Sequence, residues 1–316
     1  MNLLASLLLA SSGLLTSQSP PTPPCIDAQT TMKAAAATLR ARYVMPEIGS
    51  EAASRIDARV ARGEYKSICG SPNEVARALT RAVRFILPDE HLRIAAGPPQ
   101  PTTLPAEAPS DALADNLGIH EVSRMPGGIG YLRISGWAPI EWVEPRLASA
   151  MALLRDAKGI IIDVRGNGGG DGNTMNLMLR SFLPIGAPET QIGYDREGKR
   201  FDYITPNEPA WERFPADLPL VVLIDAGSAS ASEALAFSLQ EESRATIVGR
   251  RSIGAAHAVF DAVELPGTYS LYIPEYRAEG RISGKTWEGI GVAPDIWAGP
   301  GEEKLIAWEY LREKAR

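Results

Sequence analysis

Three serines fall within five positions of the stretch "DAGSASASEALAFSLQEES", Asp225 to Ser243, directly after the apolar run "LPLVVLI". Apolar residues that give way to small ones and then to a helical pattern describe a tight strand-to-helix turn. Such a turn can present a serine as a nucleophile over the positive end of the helix. Ser230 is the candidate, because Ala229 and Ala231 flank it with minimal side chains and the N–H of Ala231 would face a developing oxyanion. A purely structural reading also fits. Ser230 lies three positions before Glu233, the spacing of a capping box, and a serine at an N-cap needs no catalytic purpose.

A second loop, "DVRGNGGGDGN" at 163–173, carries four glycines in five positions and leads straight into a helical pattern. Glycine permits backbone conformations that bring N–H groups close to a ligand, and the helix dipole adds to their pull on an anion. The loop lacks both the G-x-G-x-x-G spacing and the G-K-[ST] ending of nucleotide-binding loops. Oxyanion binding suits it better, and a simple tight turn would also explain the glycines.

The elements that must position these loops are legible. From Leu117 onward, short apolar runs such as "GIGYLRISGW", "GIIIDVRG", "LPLVVLIDAG" and "RATIVG" are separated by helical stretches such as "EPRLASAMALLRDA" and "NTMNLMLRSFL". Alternation of this kind specifies parallel strands covered by helices, whose ligands bind outside the carboxyl ends of the strands. Further on, "AVELPGTYSLYIPEYRAEG" predicts a hairpin turning at "LPGT", and "EEKLIAWEYLREK" a closing helix. Ahead of the alternating region, residues 25–97 predict a small helical subdomain. One of its helices starts at Ser71 with Pro72 behind it and Glu74 three after the cap. Its end, "LPDEHLRIAAG", turns into a strand pattern. Residues 98–116 form a proline-rich linker, too short to hide an inserted domain of at least about 50 residues. The catalytic domain is expected over 117–316.

Residues 1–24 predict a signal peptide and linker. The apolar run Leu3–Leu15 is too short to span a bilayer and suits a secretory h-region, with cleavage between about Ser17 and Ser19. The protein is therefore expected to be exported, periplasmic or secreted, with no membrane span after cleavage. Cys25 and Cys69 are the only cysteines; they could pair in an oxidising compartment or remain free thiols. Neither sits at metal-ligand spacing. A formal charge of −6 without a basic block argues against nucleic acid as a partner.

Four blocks in one order, "GYLRIS", "GIIIDVRGNGGG", "PLVVLIDAGSASASEALAFSLQEESRATIVGRRSIG" and "TWEGIGVAPDI", resemble the tail-specific or C-terminal processing serine proteases. The helical segment ending "DEHLRI" resembles the N-terminal part of that family's tricorn-core branch, and the resemblance covers roughly residues 30–297. It implies an α/β fold, a mostly parallel sheet flanked by helices (a ClpP/crotonase-like protease core) with an N-terminal helical subdomain. It also implies a serine-type peptidase that forms an acyl-enzyme on Ser230 without metal or cofactor and binds a polypeptide substrate in extended form by strand addition. The linker leaves no room for the PDZ domain that many members carry. Oxyanion donors fall on the backbone of Ala231 and of Gly169 or Gly170.

The base departs from the best-known members, which place a lysine in a "G-K-G" segment. Here the segment reads "SIGAAHA" and the lysine slot is Ala255. The tricorn-like branch uses a histidine from its N-terminal part and a glutamate near the C-terminal motif, which fall on His91 and Glu288. That branch has a serine before its histidine where this chain has Glu90, so Glu90 and Glu288 are the relay candidates. His257, two residues past the lysine slot, is the rival base, and Lys285 a minor one. His120, in a predicted strand, reads as structural. The same scaffold could also serve a non-catalytic binding protein, or a small-molecule esterase or amidase.

Overall fold

A computed structural model of the protein describes residues 24–99, 104–202 and 208–314. The expected signal peptide and its cleavage site lie outside the described residues. The N-terminal part comprises strand β1 (Cys25–Ile26), helices α1 (Gln29–Arg42) and α2 (Pro46–Ala61), strand β2 (Ile68–Cys69), helix α3 (Pro72–Arg84) and strand β3 (Arg93–Ala96). Helix α3 begins as its sequence dictates. The Ser71 N–H donates to Glu74 Oε2 at 2.7 Å and the Glu74 N–H donates back to Ser71 Oγ at 3.4 Å. Cys25 and Cys69 are opposite one another in the β1–β2 pair and form a disulfide.

A short helix, α4 (Ser110–Ala114), sits inside the proline-rich linker. The chain then runs through β4 (Ile119–Met125), β5 (Ile129–Ile134), α5 (Ile140–Leu154), β6 (Gly159–Asp163), α6 (Gly172–Arg180), β7 (Gln191–Tyr194) and β8 (Arg200–Asp202). Next come β9 (Leu220–Ile224), α7 (Ala231–Glu241), β10 (Thr246–Gly249), β11 (Ala262–Leu265), β12 (Tyr269–Tyr272), β13 (Arg277–Gly280), β14 (Ile296–Trp297) and α8 (Glu303–Lys314).

The main sheet has the order β14-β10-β9-β6-β5-β4, parallel except for β4 against β5. Every residue of "GIIID" and "LVVLI" is buried, because helices cover both faces. The pleat sorts them: Leu220, Val222 and Ile224 share a core with Leu147 of α5 and Leu235 of α7. Val221 and Leu223 point the other way, against Ala307 and Leu311 of α8.

The helical part is not set apart from the rest. β3 pairs with β12, which pairs with β11 across the predicted hairpin. Leu265, Leu271 and Ile273 of that hairpin region lie in one core with Leu39, Ile56 and Leu79 of the helices. The expected boundary at residue 97 is thus crossed by a sheet. A further antiparallel sheet, β13-β7-β8, had no clear alternation to announce it.

Candidate active site

Ser230 ends the turn that leaves β9 and caps α7. Its backbone has φ 54° and ψ −119°, a conformation that costs a non-glycine residue of order 1–3 kcal/mol and persists only where the surroundings enforce it. Those surroundings are hydrogen bonds. The Ser230 N–H donates to Glu233 Oε2 at 2.9 Å, and the Ala229 N–H donates to the Asn167 carbonyl at 3.0 Å. The neighbouring serines are engaged in the framework: Ser228 Oγ donates to the Val164 carbonyl at 2.8 Å, and Ser232 Oγ accepts from Trp137 Nε1 at 2.9 Å. Both are fully buried.

Glu233 fastens more than the cap. Its carboxylate is buried and also accepts from Ser252 Oγ at 2.6 Å, the Gly254 N–H at 2.7 Å and the Ala255 N–H at 2.8 Å. Burial pushes its pKa up, while these four donors pull the other way. One carboxylate therefore ties the Ser230 turn to the loop that occupies the lysine slot.

The glycine loop lies against Ser230. A Cβ on Gly169 would come within 2.7 Å of Ser230 Cβ, and one on Gly170 within 2.2 Å of the Trp137 carbonyl oxygen. Both residues have positive φ, 105° and 137°, so glycine is required twice over. The Gly169 N–H is taken by Asn167 Oδ1 at 2.9 Å. The amides of Gly170 and Ala231 have no acceptor among the described residues. This separates the two glycines that spacing left equivalent.

Ser230, Ala231 and Gly170 line a cavity of about 610 Å³ together with His91 and His257. Asp89 links the two histidines from behind: its Oδ1 accepts the His91 backbone N–H at 2.9 Å, and its Oδ2 lies 2.7 Å from His257 Nδ1. Asp89 is 2% exposed and also accepts from Tyr43 Oη at 2.9 Å. Burial alone would raise the Asp89 pKa, but the hydrogen bond and charge of His257, with Tyr43 and the His91 amide, hold it below the usual carboxylate range. Burial opposes charge on His257 too; there the Asp89 hydrogen bond and the Glu288 and Asp89 charges win, and the pKa is raised. His91 has no such support. Its Nδ1 is buried without a partner among the described residues, and burial pushes its pKa down.

Among the described residues neither relay candidate is hydrogen-bonded to His91 Nδ1. Glu90 lines the cavity but its carboxylate is paired with Arg84 at 2.8 Å. Glu288 Oε2 accepts the N–H groups of Ala256 at 2.6 Å and His257 at 2.9 Å, and its Oε1 lies 3.8 Å from His257 Nδ1. Burial and the nearby Asp89 charge raise the Glu288 pKa. Lys285 sits on an exposed loop and His120 on the exposed face of β4, and neither lines the cavity. Ala255 is buried in the lysine slot. Sequence reasoning missed Asp89 and Tyr43. Asp89 could have been found two residues before His91, whereas Tyr43 lies in a helix end that gives no signal.

The model of peptidase family S41 matches residues 128–298, more than half of the chain. The chain belongs to peptidase family S41. That match holds the glycine loop, Ser230, His257 and Glu288, while Tyr43, Asp89 and His91 precede it. Among curated S41-like relatives, a carboxyl-terminal-processing protease of Synechocystis sp. is 35% identical over 137 residues, 42% of this chain and 29% of the relative. A carboxy-terminal-processing protease of Bartonella bacilliformis is 33% identical over 191 residues, 55% of this chain and 39% of the relative. The chain thus spans well under half the length of these relatives. A lipoprotein structure from Streptococcus agalactiae shares the fold with TM-score 0.59 and 16% identity, over 95% of this chain and 100% of that one. The tricorn protease aligns with TM-score 0.60 and 14% identity, over 92% of this chain and 37% of its own.

Proposed function

We propose that this S41 member is a serine peptidase working through an acyl-enzyme on Ser230. The observation that carries the reading is the strained Ser230 at the α7 N-terminus, sharing one cavity with the unengaged amides of Gly170 and Ala231 and with a histidine. Ser230 Oγ attacks the scissile carbonyl while the base takes its proton. The Gly170 and Ala231 amides stabilise the oxyanion as the tetrahedral intermediate forms. The same proton passes to the leaving amine as the C–N bond breaks, and water then releases the acyl group.

His91 serves as the base in this reading. Burial keeps its ring neutral near neutral pH, and no group among the described residues claims its Nδ1. A second reading gives the role to His257, on one specific observation: its Nδ1 is held by Asp89, the orienting contact a catalytic imidazole needs.

The substrate is a polypeptide bound in extended form. β3 is an edge strand of its sheet and its first residue, Arg93, lines the cavity, which supports strand addition there. Export to a periplasmic or extracellular compartment is supported by the Cys25–Cys69 disulfide. Among the described residues no helix is long and apolar enough to cross a membrane.

The test is labelling of the intact protein with an activated fluorophosphonate, paired with cleavage of a fluorogenic peptide pool. Labelling and cleavage that both vanish in Ser230→Ala support the proposal. Wild-type protein that neither labels nor cleaves would overturn it, and labelling accompanied by turnover of an activated ester but not of any peptide would make it an esterase.

A further inference from the structure

We infer that Arg93 is a specificity residue that receives a carboxylate of the substrate; the inference rests on the peptidase reading and deepens it. Arg93 is the only arginine or lysine among the residues lining the Ser230 cavity. It is exposed there, two positions after His91. Several other arginines of this acidic chain are paired with carboxylates, among them Arg42 with Glu275, Arg84 with Glu90, and Arg165 with Asp163 and Glu303. Arg93 has no carboxylate partner among the described residues. The two acids of the cavity wall are committed elsewhere, Glu90 to Arg84 and Asp171 to the N-terminus of α6, where its Oδ1 accepts the Thr174 N–H at 2.7 Å.

The guanidinium is nevertheless held in place. Arg93 lies opposite Tyr272 across the β3–β12 pair, and its Cζ stands 3.6 Å from the Tyr272 ring centroid. A guanidinium stacked flat on an aromatic face gains cation–π attraction and keeps its N–H edge free. That edge is a planar fork matched to a carboxylate. Peptide laid along β3 toward Ser230 would carry such a group past it, either as a free C-terminus or as an Asp or Glu side chain.

The experiment uses two peptide pairs in one neutral background: a free C-terminal acid against its amide, and an internal Glu against Gln in the amidated peptide. Charged hydrogen bonds of this kind predict that wild type prefers the carboxylate member of at least one pair by about 10-fold or more in kcat/KM. The pair that is discriminated identifies the source of the carboxylate. In Arg93→Met the preference falls to within about 2-fold, and the loss appears in KM for the carboxylate peptides. Arg93→Lys, which retains charge without the fork, gives an intermediate preference and controls for folding. The same fluorescent peptides are titrated against Ser230→Ala by anisotropy, so binding is read without turnover. Carboxylate preference in binding that depends on Arg93 supports the inference even if no peptide is cleaved, which would count against the peptidase reading alone. Equal binding of both members of each pair, or a preference unchanged in Arg93→Met, overturns it.

Discussion

Asp89 Oδ2 lies 2.7 Å from His257 Nδ1, so this buried carboxylate orients the histidine of the lysine-slot loop, whereas His91 Nδ1 has no hydrogen-bond partner among the described residues. The two imidazoles are pushed in opposite directions, His91 below and His257 above the ordinary value of about 6.5. A general base acts only when deprotonated, so the rate of Ser230 acylation rises with pH through the pKa of whichever histidine serves. If His91 is the base, the acid limb of the labelling rate is centred below about pH 6.5, and His91→Ala slows labelling by about 100-fold or more while His257→Ala slows it less. An acid limb centred above 6.5, with the larger loss in His257→Ala, transfers the role to His257.

The His257–Asp89 pair also makes stability depend on pH. Asp89 has a depressed folded pKa, so its contribution is present above the unfolded carboxylate value of about 3.9 and is lost as pH falls through the folded value. His257 has a raised folded pKa, so its contribution is complete below about 6.5 and is lost as pH rises through the folded value. The pair therefore stabilises most between these limits. Asp89→Asn removes the charge partner, and the expected outcome is a lower melting temperature at pH 5–6 whose deficit narrows above the folded pKa of His257. Melting curves across pH check this; a deficit that stays constant with pH contradicts the pairing.

Gly169 and Gly170 fail differently when a methyl group is added. At Gly169 the new Cβ would press on Ser230 Cβ at 2.7 Å, a collision with the nucleophile itself. At Gly170 it would press on the Trp137 carbonyl oxygen at 2.2 Å, which has no room to give. Both alanine variants carry about 1–3 kcal/mol of backbone strain from the positive φ. Gly169→Ala is expected to lose labelling by about 100-fold, whereas Gly170→Ala adds the clash with the Trp137 carbonyl and is expected to lose labelling and to be the less stable of the two. Denaturant titration beside labelling separates the two, and equal stability loss in both variants would contradict the geometry.

How much of this was legible follows from the range of the signals. Parallel strands announce themselves because both faces are buried, so "GIIID" and "LVVLI" read as apolar runs. Ser230 and its turn were legible because small residues and the capping-box spacing are local. The pairing of β3 with β12 was not, since Arg93 and Tyr272 are joined only by the fold. The same holds for Asp89 and His257, which lie 168 positions apart. The roles of Gly169 and Gly170 also needed the backbone: which amide is free depends on Asn167, a neighbour whose side-chain direction no spacing rule fixes.

Glu233 gives the last prediction, because it does what a cap alone would not. A capping glutamate needs one acceptor contact to the N-cap amide, and this one also holds Ser252, Gly254 and Ala255. Glu233→Gln keeps the shape but turns an NH₂ group toward donors, leaving at least one buried donor unpaired at a cost of about 1–3 kcal/mol. If Glu233 were only a cap, the loss would appear in stability and leave chemistry alone. Because it ties the Ser230 turn to the loop bearing His257, the variant is expected to lose about 10-fold or more in labelling rate even where it is fully folded. Measuring the rate well below the melting temperature, with circular dichroism confirming the native fold, distinguishes these outcomes. A folded Glu233→Gln that labels at the wild-type rate would reduce the residue to a helix cap.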